Sequence, residues 1–178
     1  MNQGANGPED VRETLVAYAP RVFGLIMRMV GHREVAEDLT QETLLRAWRN
    51  LDTYRPEGKL RAWLFRIAVN AARDWARRRR FEPTATLDET ADGPALPVAA
   101  PDTPPDARVR RRETQERVAG ALAQLPDADR EILLLRYYGE LTFKEIADAN
   151  GEPLGTVLAR AHRALKKLGS LFPEDEMS

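Results

Sequence analysis

The sequence lacks the residues that several classes of functional site require. None of its 178 residues is a cysteine, which excludes disulfides and thiolate metal sites. The two histidines, His32 and His162, are far apart in the chain, and this argues against a zinc site. The chain also has no glycine-rich phosphate loop and no nucleophile–base pair. We therefore expect a protein that is not an enzyme and that needs no cofactor or metal.

Long hydrophobic runs are absent as well. No apolar stretch approaches the roughly 20 residues that span a bilayer. The segment from Asn2 to Asp10 is polar and acidic, unlike a secretory signal peptide. Strand-like alternation is also missing, whereas apolar residues recur at helical spacing. The sequence therefore predicts a soluble, cytoplasmic, all-α protein.

Charge is segregated along the chain, although the net charge is only −1. Residues 46–80 contain 11 basic and three acidic side chains, whereas residues 81–107 contain six acidic side chains and no basic one. Residues 154–168 contain four basic side chains and no acidic one. Such segregation is informative about binding partners rather than about the fold.

The first half of the chain predicts a small helical domain over residues 8–80. Helical spacing runs from Pro8 to Val30, where Pro20 should kink or divide the helix and Gly31 should end it. Two further helices are predicted over residues 33–51 and 59–80, with a turn at 52–58. Their predicted buried stripes are Val35, Leu39, Thr43, Leu44, Trp48 and Leu51 in the first, and Leu60, Trp63, Leu64, Ile67, Ala68, Ala71 and Trp75 in the second.

The segment from Tyr54 to Arg80 combines two tryptophans with many arginines, the last four of them consecutive. Aromatic rings stack on bases while guanidinium groups hold phosphates, which suggests a nucleic-acid-binding surface. A core helix with a solvated basic end would have the same composition. The segment alone leaves both interpretations open.

Residues 81–107 predict a linker. They contain six of the twelve prolines and only acidic charge, a composition that keeps a chain extended and without a core of its own. A second helical domain is then predicted over residues 108–172.

This second domain contains a predicted helix-turn-helix. Thr142 and Glu145 match a capping box that opens a short helix, a turn follows at 150–155, and a last helix begins at about Thr156. A basic second helix with free N–H groups in its first turn favours DNA binding over an ordinary helical hairpin. The last helix is expected to bury Val157, Ala161, Ala164, Leu165 and Leu168, and to expose Arg160, Arg163, Lys166 and Lys167.

Three stretches resemble the extracytoplasmic-function (ECF) sigma factors, the smallest class of bacterial sigma factor, which keep only the region 2 and region 4 domains. AEDLTQETLLRAW at 36–48 resembles region 2.2, and RAWLFRIAVN at 61–70 resembles regions 2.3 and 2.4. LLLRYY at 133–138, EIA at 145–147 and GTV at 155–157 resemble region 4. The resemblance covers nearly the whole chain outside the linker. It implies an all-α fold of two small helical domains joined by a flexible, acidic, proline-rich linker.

By this resemblance the first domain would bind core polymerase and the −10 element. The polar face of region 2.2 docks on the coiled coil of the polymerase β′ subunit, and its candidates here are Asp38, Gln41, Glu42 and Arg46. The loop from Tyr54 to Leu60 would hold a flipped base, since a pocket must offset the energy of unstacking. The candidate −10 DNA-binding residues are Tyr54, Arg55, Lys59, Arg61, Trp63, Arg66, Asn70, Arg73, Arg77 and Arg78.

The resemblance also implies individual roles in the −10 segment. Asn70 would read a base edge through its amide, and the arginines from Arg66 to Arg80 would hold phosphates. Trp63 is either a wedge at the upstream edge of the melted DNA or a core residue.

The second domain would read the −35 element and contact the polymerase β flap. Its candidate residues are Thr142, Pro153, Gly155, Thr156, Leu158, Ala159, Arg160, Arg163, Lys166 and Lys167. Leu158 and Ala159 depart from the family, in which polar residues are common at these positions. Readout would then depend on Arg160 and Arg163, on DNA shape, or on contact of Leu158 with a thymine methyl group.

The leading hypothesis is a promoter-specificity subunit of RNA polymerase. In the family the linker threads into the active-site cleft toward the RNA exit path, although its composition here shows only a tether. An anti-sigma factor is a further partner that the family commonly has. The alternative is a sigma-like protein that sequesters an anti-sigma factor without binding DNA, favoured only by Leu158 and Ala159.

Overall fold

The computed structural model describes residues 8–51, 59–81 and 105–172. The helices in these ranges are α1 (Pro8–Ala17), α2 (Ala19–Val30), α3 (Arg33–Arg49), α4 (Leu60–Phe81), α5 (Pro105–Ala123), α6 (Asp127–Tyr137), α7 (Phe143–Asn150) and α8 (Leu154–Leu171). No strand occurs in the same ranges, and the all-α fold is confirmed. Within them, no helix is both long and apolar enough to cross a membrane.

Several helix ends lie where local signals predict them. The first long helix is divided at Tyr18, because Pro20 lies in the first turn of α2, where a missing N–H breaks no intrahelical bond. Gly31 ends α2 in the left-handed region, with φ 76°. The capping box at α7 is complete, since the Thr142 hydroxyl accepts from the Glu145 N–H and the Glu145 carboxylate accepts from the Thr142 N–H.

Other boundaries differ from the prediction. α8 begins at Leu154 instead of at about Thr156, because Pro153 occupies the N-cap position and leads directly into the helix. α5 begins at Pro105, three residues before the predicted start of the second domain at residue 108, and Pro126 is the N-cap of α6. The predicted turn at 52–58 and residues 82–104 of the predicted linker lie outside the described residues.

The buried face of α3 matches the predicted stripe only in part: Leu39 and Thr43 are buried, and Val35, Leu44 and Leu51 pack against the core while partly buried. Its buried residues are Ala36, Leu39, Thr40, Thr43 and Ala47, and the two threonine hydroxyls donate to carbonyls one turn earlier in the helix. Alanines on this face bring α3 close to α2 and α4. Ala47 therefore occupies the inward position, and the neighbouring Trp48, predicted to be buried, is 48% exposed.

Helix α4 is buried over a larger part of its surface than the predicted stripe covers. Leu64, Ala68 and Ala71 are buried as expected, but so are Phe65 and Val69, which the prediction omitted. The reason is that α2 and α3 cover one side of α4 while α7 covers another. Buried residues of both halves of the chain consequently form one continuous hydrophobic core.

Helices α6, α7 and α8 form the C-terminal unit. Ile132, Ile146, Val157 and Ala161 are buried where these helices meet, and the burial of Val157 and Ala161 agrees with the predicted inward face of α8. Leu165 was predicted to be buried but is 56% exposed, because Ala161 and Ala164 turn the inward face of α8 away from it.

Candidate polymerase-binding and DNA-binding surfaces

The candidate polymerase-binding residues lie on the outer face of α3. Asp38, Gln41 and Arg46 are exposed and Glu42 is partly exposed. Spacings of three and four residues place them on neighbouring turns of one helix face. Arg46 forms an ion pair with Glu42, four residues earlier. The structure thus brings together all four residues of this prediction.

Two large apolar side chains extend the same face. Leu45 is 55% exposed and lies four residues after Gln41, and the exposed Trp48 follows one turn later. The Arg12 guanidinium of α1 lies 4.7 Å from the centre of the Trp48 ring. Leu45 was not among the predicted residues and Trp48 was predicted to be buried, although the spacing of both from Gln41 places them on this face. We call Asp38, Gln41, Glu42, Leu45, Arg46 and Trp48 the α3 surface.

The candidate −10 residues are only partly gathered in the structure. Tyr54 and Arg55 lie outside the described residues, and Lys59 immediately precedes α4. Trp63 packs against the hydrophobic core and remains partly exposed. Arg66 and Asn70 are exposed one turn apart on α4, where they line a cleft closed on the other side by the C-terminal unit.

Two further arginines of α4 contact acidic residues of the C-terminal unit. Arg73 donates two hydrogen bonds to Glu131 of α6, with N–O distances of 2.8 and 2.7 Å. Arg61 lies 3.6 Å from Glu145 and 3.8 Å from Glu140, measured between nitrogen and oxygen atoms. Burial raises the pKa of Glu131, and Arg73 opposes that rise. These two arginines therefore face carboxylates in this structure.

The arginines at the end of α4 have different surroundings. Arg77 and Arg78 are exposed, and Arg77 pairs with Asp74 on its own helix. Arg79 lies over the Trp75 ring, 5.4 Å from its centre, and its Nη1 is 2.8 Å from His32 Nε2. This end of α4 presents positive charge to solvent beside an aromatic ring, which fits binding to a nucleic-acid backbone.

Of the basic residues of α8, Arg163, Lys166 and Lys167 are exposed as predicted, whereas Arg160 is only partly exposed. Arg160 donates two hydrogen bonds of 2.7 Å to Glu152 in the preceding turn, which raises the pKa of the guanidinium further. Arg163 pairs with the buried Asp129 of α6 at 3.1 Å. Lys167 donates to the carbonyl of Gln124. No local sequence signal predicts these acceptors, because the tertiary fold brings them near α8.

The remaining −35 candidates lie either at the start of a helix or on α8 itself. Thr142 caps α7 and Pro153 caps α8, while Thr156 is partly buried. The exposed residues of α8 include Gly155, Leu158, Ala159, Arg163, Lys166 and Lys167, together with Leu154 and Leu165. The exposed side of α8 therefore combines basic and apolar side chains. The described residues contain no cluster of three or more acidic or histidine side chains that could hold a metal ion.

Comparisons with known proteins agree with the two-part organisation. The sigma-70 region 2 model matches residues 15–82, and the sigma-70 region 4 model matches residues 121–169. The RNA polymerase sigma factor CarQ of Myxococcus xanthus is 37% identical over 178 residues, covering 99% of this chain and 98% of CarQ. The ECF sigma factor SigW of Bacillus subtilis is 32% identical over 174 residues, covering 94% and 92%.

Solved structures show the same fold. The sigma factor RpoE of Bartonella quintana, in a complex with the anti-sigma factor NepR, matches with a TM-score of 0.70 and 25% identity over 92% of this chain and 96% of RpoE. CnrH, in a complex with the cytosolic domain of CnrY, matches in fold with a TM-score of 0.67 over 94% and 90%. The chain belongs to the ECF family of RNA polymerase sigma factors, the subunits that direct transcription initiation.

Proposed function

We propose that this sigma factor binds core RNA polymerase through the α3 surface, the −10 element through α4, and the −35 element through α7 and α8. It acts in the cytoplasm and contributes no catalytic group, so that phosphodiester chemistry belongs to the core enzyme. The observation that carries the proposal is the α3 surface, where exposed apolar and polar side chains share one helix face.

The composition of the α3 surface suits a protein partner. Protein interfaces combine a desolvated core, in which aromatic residues are enriched, with a polar rim that sets orientation. Trp48 and Leu45 supply the apolar part, and Asp38, Gln41 and Glu42 supply the polar part. The resemblance to region 2.2 supports the coiled coil of the β′ subunit as the partner of this surface.

On α4, one of the proposed −10 residues recognises a base and the others contact phosphates. Asn70 is exposed and carries an amide that can pair with a base edge. Arg66, Arg77 and Arg78 are exposed on the same helix and hold phosphates, which positions the DNA without reading its sequence.

On α8, the proposed −35 contacts depend less on arginine than the sequence predicted. Arg160 pairs with Glu152 and Arg163 with Asp129, so both guanidinium groups already have carboxylate partners in the free protein. The exposed Leu158 instead offers an apolar contact to a thymine methyl group, and DNA shape supplies further selectivity.

An anti-sigma factor is a further proposed partner. RpoE and CnrH were each solved as a complex, with the anti-sigma factor NepR and with the cytosolic domain of CnrY. Their fold is shared by this chain over more than nine-tenths of its length.

The substitution Asn70→Ala tests the −10 assignment. We expect binding to core polymerase to be retained, while discrimination among −10 sequences falls by about tenfold, because one good base contact contributes about 1–3 kcal/mol. Transcription from a library of promoters randomised at the −10 element measures the discrimination. An equal loss of core binding, measured by titration, would show that Asn70 has another role.

A further inference from the structure

Glu152, in the turn between α7 and α8, is held by the backbone on both of its sides. Its N–H donates to the Ala147 carbonyl at 3.0 Å, and Gly151 before it ends α7 in the left-handed region, with φ 67°. Pro153 after it is the N-cap of α8, and a residue that precedes proline is restricted to extended conformations. The turn therefore fixes the point from which the Glu152 side chain extends.

The Glu152 carboxylate binds Arg160, which lies in the second turn of α8. Each carboxylate oxygen accepts a hydrogen bond of 2.7 Å from the same nitrogen, Arg160 Nη1. Side chains on a helix lean toward its N-terminal end, so the guanidinium reaches back toward the turn. In a helix-turn-helix, the N-terminal part of the second helix contacts the base edges. The pair therefore lies at the end of α8 where base contacts are expected.

The pair with Glu152 uses only one nitrogen of the Arg160 guanidinium. Within the described residues, Arg160 Nε and Nη2 make no hydrogen bond, and 26% of the side chain is exposed. A guanidinium carries five N–H donors in a planar fork, and two neighbouring donors match the O6 and N7 acceptors of guanine. The edge formed by Nε and Nη2 offers two such donors.

Arg163, three residues later on α8, is paired through the opposite choice of nitrogens. Its Nε and Nη2 lie 3.4 and 3.1 Å from the two carboxylate oxygens of the buried Asp129. That pair occupies the edge that Arg160 leaves open. Of these two arginines, only Arg160 can therefore present this edge to a base while keeping its carboxylate partner.

We propose that Glu152 is a positioning residue for −35 recognition, which orients Arg160 so that Nε and Nη2 read a guanine base. Because the arginine is already ordered when DNA arrives, binding loses less side-chain entropy. The proposal rests on the −35 role proposed for α8. It follows that a preference for guanine at one −35 position depends on Glu152 and Arg160 together.

Four substitutions separate the position of the carboxylate from its charge. Glu152→Gln removes the charge and keeps the length, whereas Glu152→Asp keeps the charge and shortens the side chain by one methylene group. Asp148→Asn, at an exposed position of α7, removes the same charge and leaves the partner of Arg160 in place. Arg160→Lys keeps the positive charge but loses the fork that binds guanine through two hydrogen bonds.

The complex of each variant with core polymerase is given a library of promoter fragments randomised over the −35 element. In the wild type we expect guanine to be preferred by about tenfold at one position, and Arg160→Lys to abolish this preference. Glu152→Gln and Glu152→Asp should each reduce it by about fivefold, which corresponds to about 1 kcal/mol, and Asp148→Asn should leave it unchanged. In the Arg160→Lys background, Glu152→Gln should have no further effect on base preference.

General DNA affinity distinguishes positioning from a structural role. Glu152→Gln removes a negative charge beside the DNA, so its complex should bind DNA that lacks a promoter at least as tightly as the wild-type complex does. Weaker binding to every sequence together with a lower melting temperature would assign Glu152 a structural role and overturn the proposal.

An unchanged guanine preference in both folded Glu152 variants would also overturn the proposal. Failure of the −35 role itself is recognised separately, because the wild-type complex would then show no base preference anywhere in the −35 element.

Discussion

Leu45→Ala is the substitution that tests the α3 surface most simply. Leu45 is 55% exposed in the free protein, so about half of its side chain has yet to be desolvated when a partner binds. Replacement by alanine removes three carbon atoms at about 0.8 kcal/mol each on full burial, and half of that is about 1.2 kcal/mol. The Kd for core polymerase should therefore rise by roughly eightfold. Leu45→Glu should weaken binding further, because it also brings a charge into an apolar contact.

The affinity is measured by fluorescence anisotropy, with the dye attached at a single introduced cysteine, as the chain has none of its own. Leu158 supplies the matched control, since it is a leucine of similar exposure (45%) on the proposed −35 face of α8. Leu158→Ala should leave the Kd for core polymerase unchanged. Neither change should shift the thermal unfolding transition by much, because both side chains are largely outside the core.

A Kd within twofold of the wild type for both Leu45 variants would contradict the assignment of the α3 surface. An equal weakening by Leu45→Ala and Leu158→Ala would contradict it too, because it would show that the effect is not specific to α3.

Two further predictions concern charge. Arg78→Gln should weaken DNA binding by the polymerase complex equally for all promoter sequences, because Arg78 is exposed and is proposed to contact phosphate. The slope of log K against log salt concentration, measured by titration at several salt concentrations, should fall by about 1. A sequence-dependent loss of binding would show that Arg78 reads bases. Glu145→Gln should lower the melting temperature at neutral pH, because the Thr142 N–H donates to the Glu145 carboxylate and lowers its pKa in the folded state. That stabilisation is present above the pKa of about 4.3 in the unfolded chain and is lost as the pH falls through the lower pKa of the folded state. The difference in melting temperature between the wild type and Glu145→Gln should therefore disappear in acid. A difference that does not depend on pH would refute this cause.

Local signals in the sequence predicted much of the fold. Pro20, Gly31 and the Thr142–Glu145 capping box act through the backbone within one or two turns, so their effect can be read without knowledge of the tertiary structure. The helix-turn-helix and the all-α architecture follow from such signals and from helical spacing.

The faces of the helices were harder to predict because they depend on packing partners. Periodicity alone does not distinguish Ala47 from Trp48 as the inward residue of α3, and the close approach of α2 and α4 selects the smaller one. Phe65 is fully buried only because α4 is covered on two sides.

The candidate binding surfaces were also only partly predictable from the sequence, because they too depend on tertiary packing. The polar residues of the α3 surface were predicted from the family resemblance, whereas its apolar part emerged only from exposure in the structure. The carboxylates that face the arginines lie far away in sequence, 58 residues for Arg73 and Glu131 and 34 for Arg163 and Asp129. Tertiary contacts of this kind leave no local pattern to read.

Run-off transcription with core polymerase tests the central claim most directly. The wild type should associate with core enzyme and initiate at specific promoters among genomic fragments, and Leu45→Glu should reduce both association and transcript yield. A wild-type protein that neither associates with core polymerase nor directs specific initiation would contradict the account.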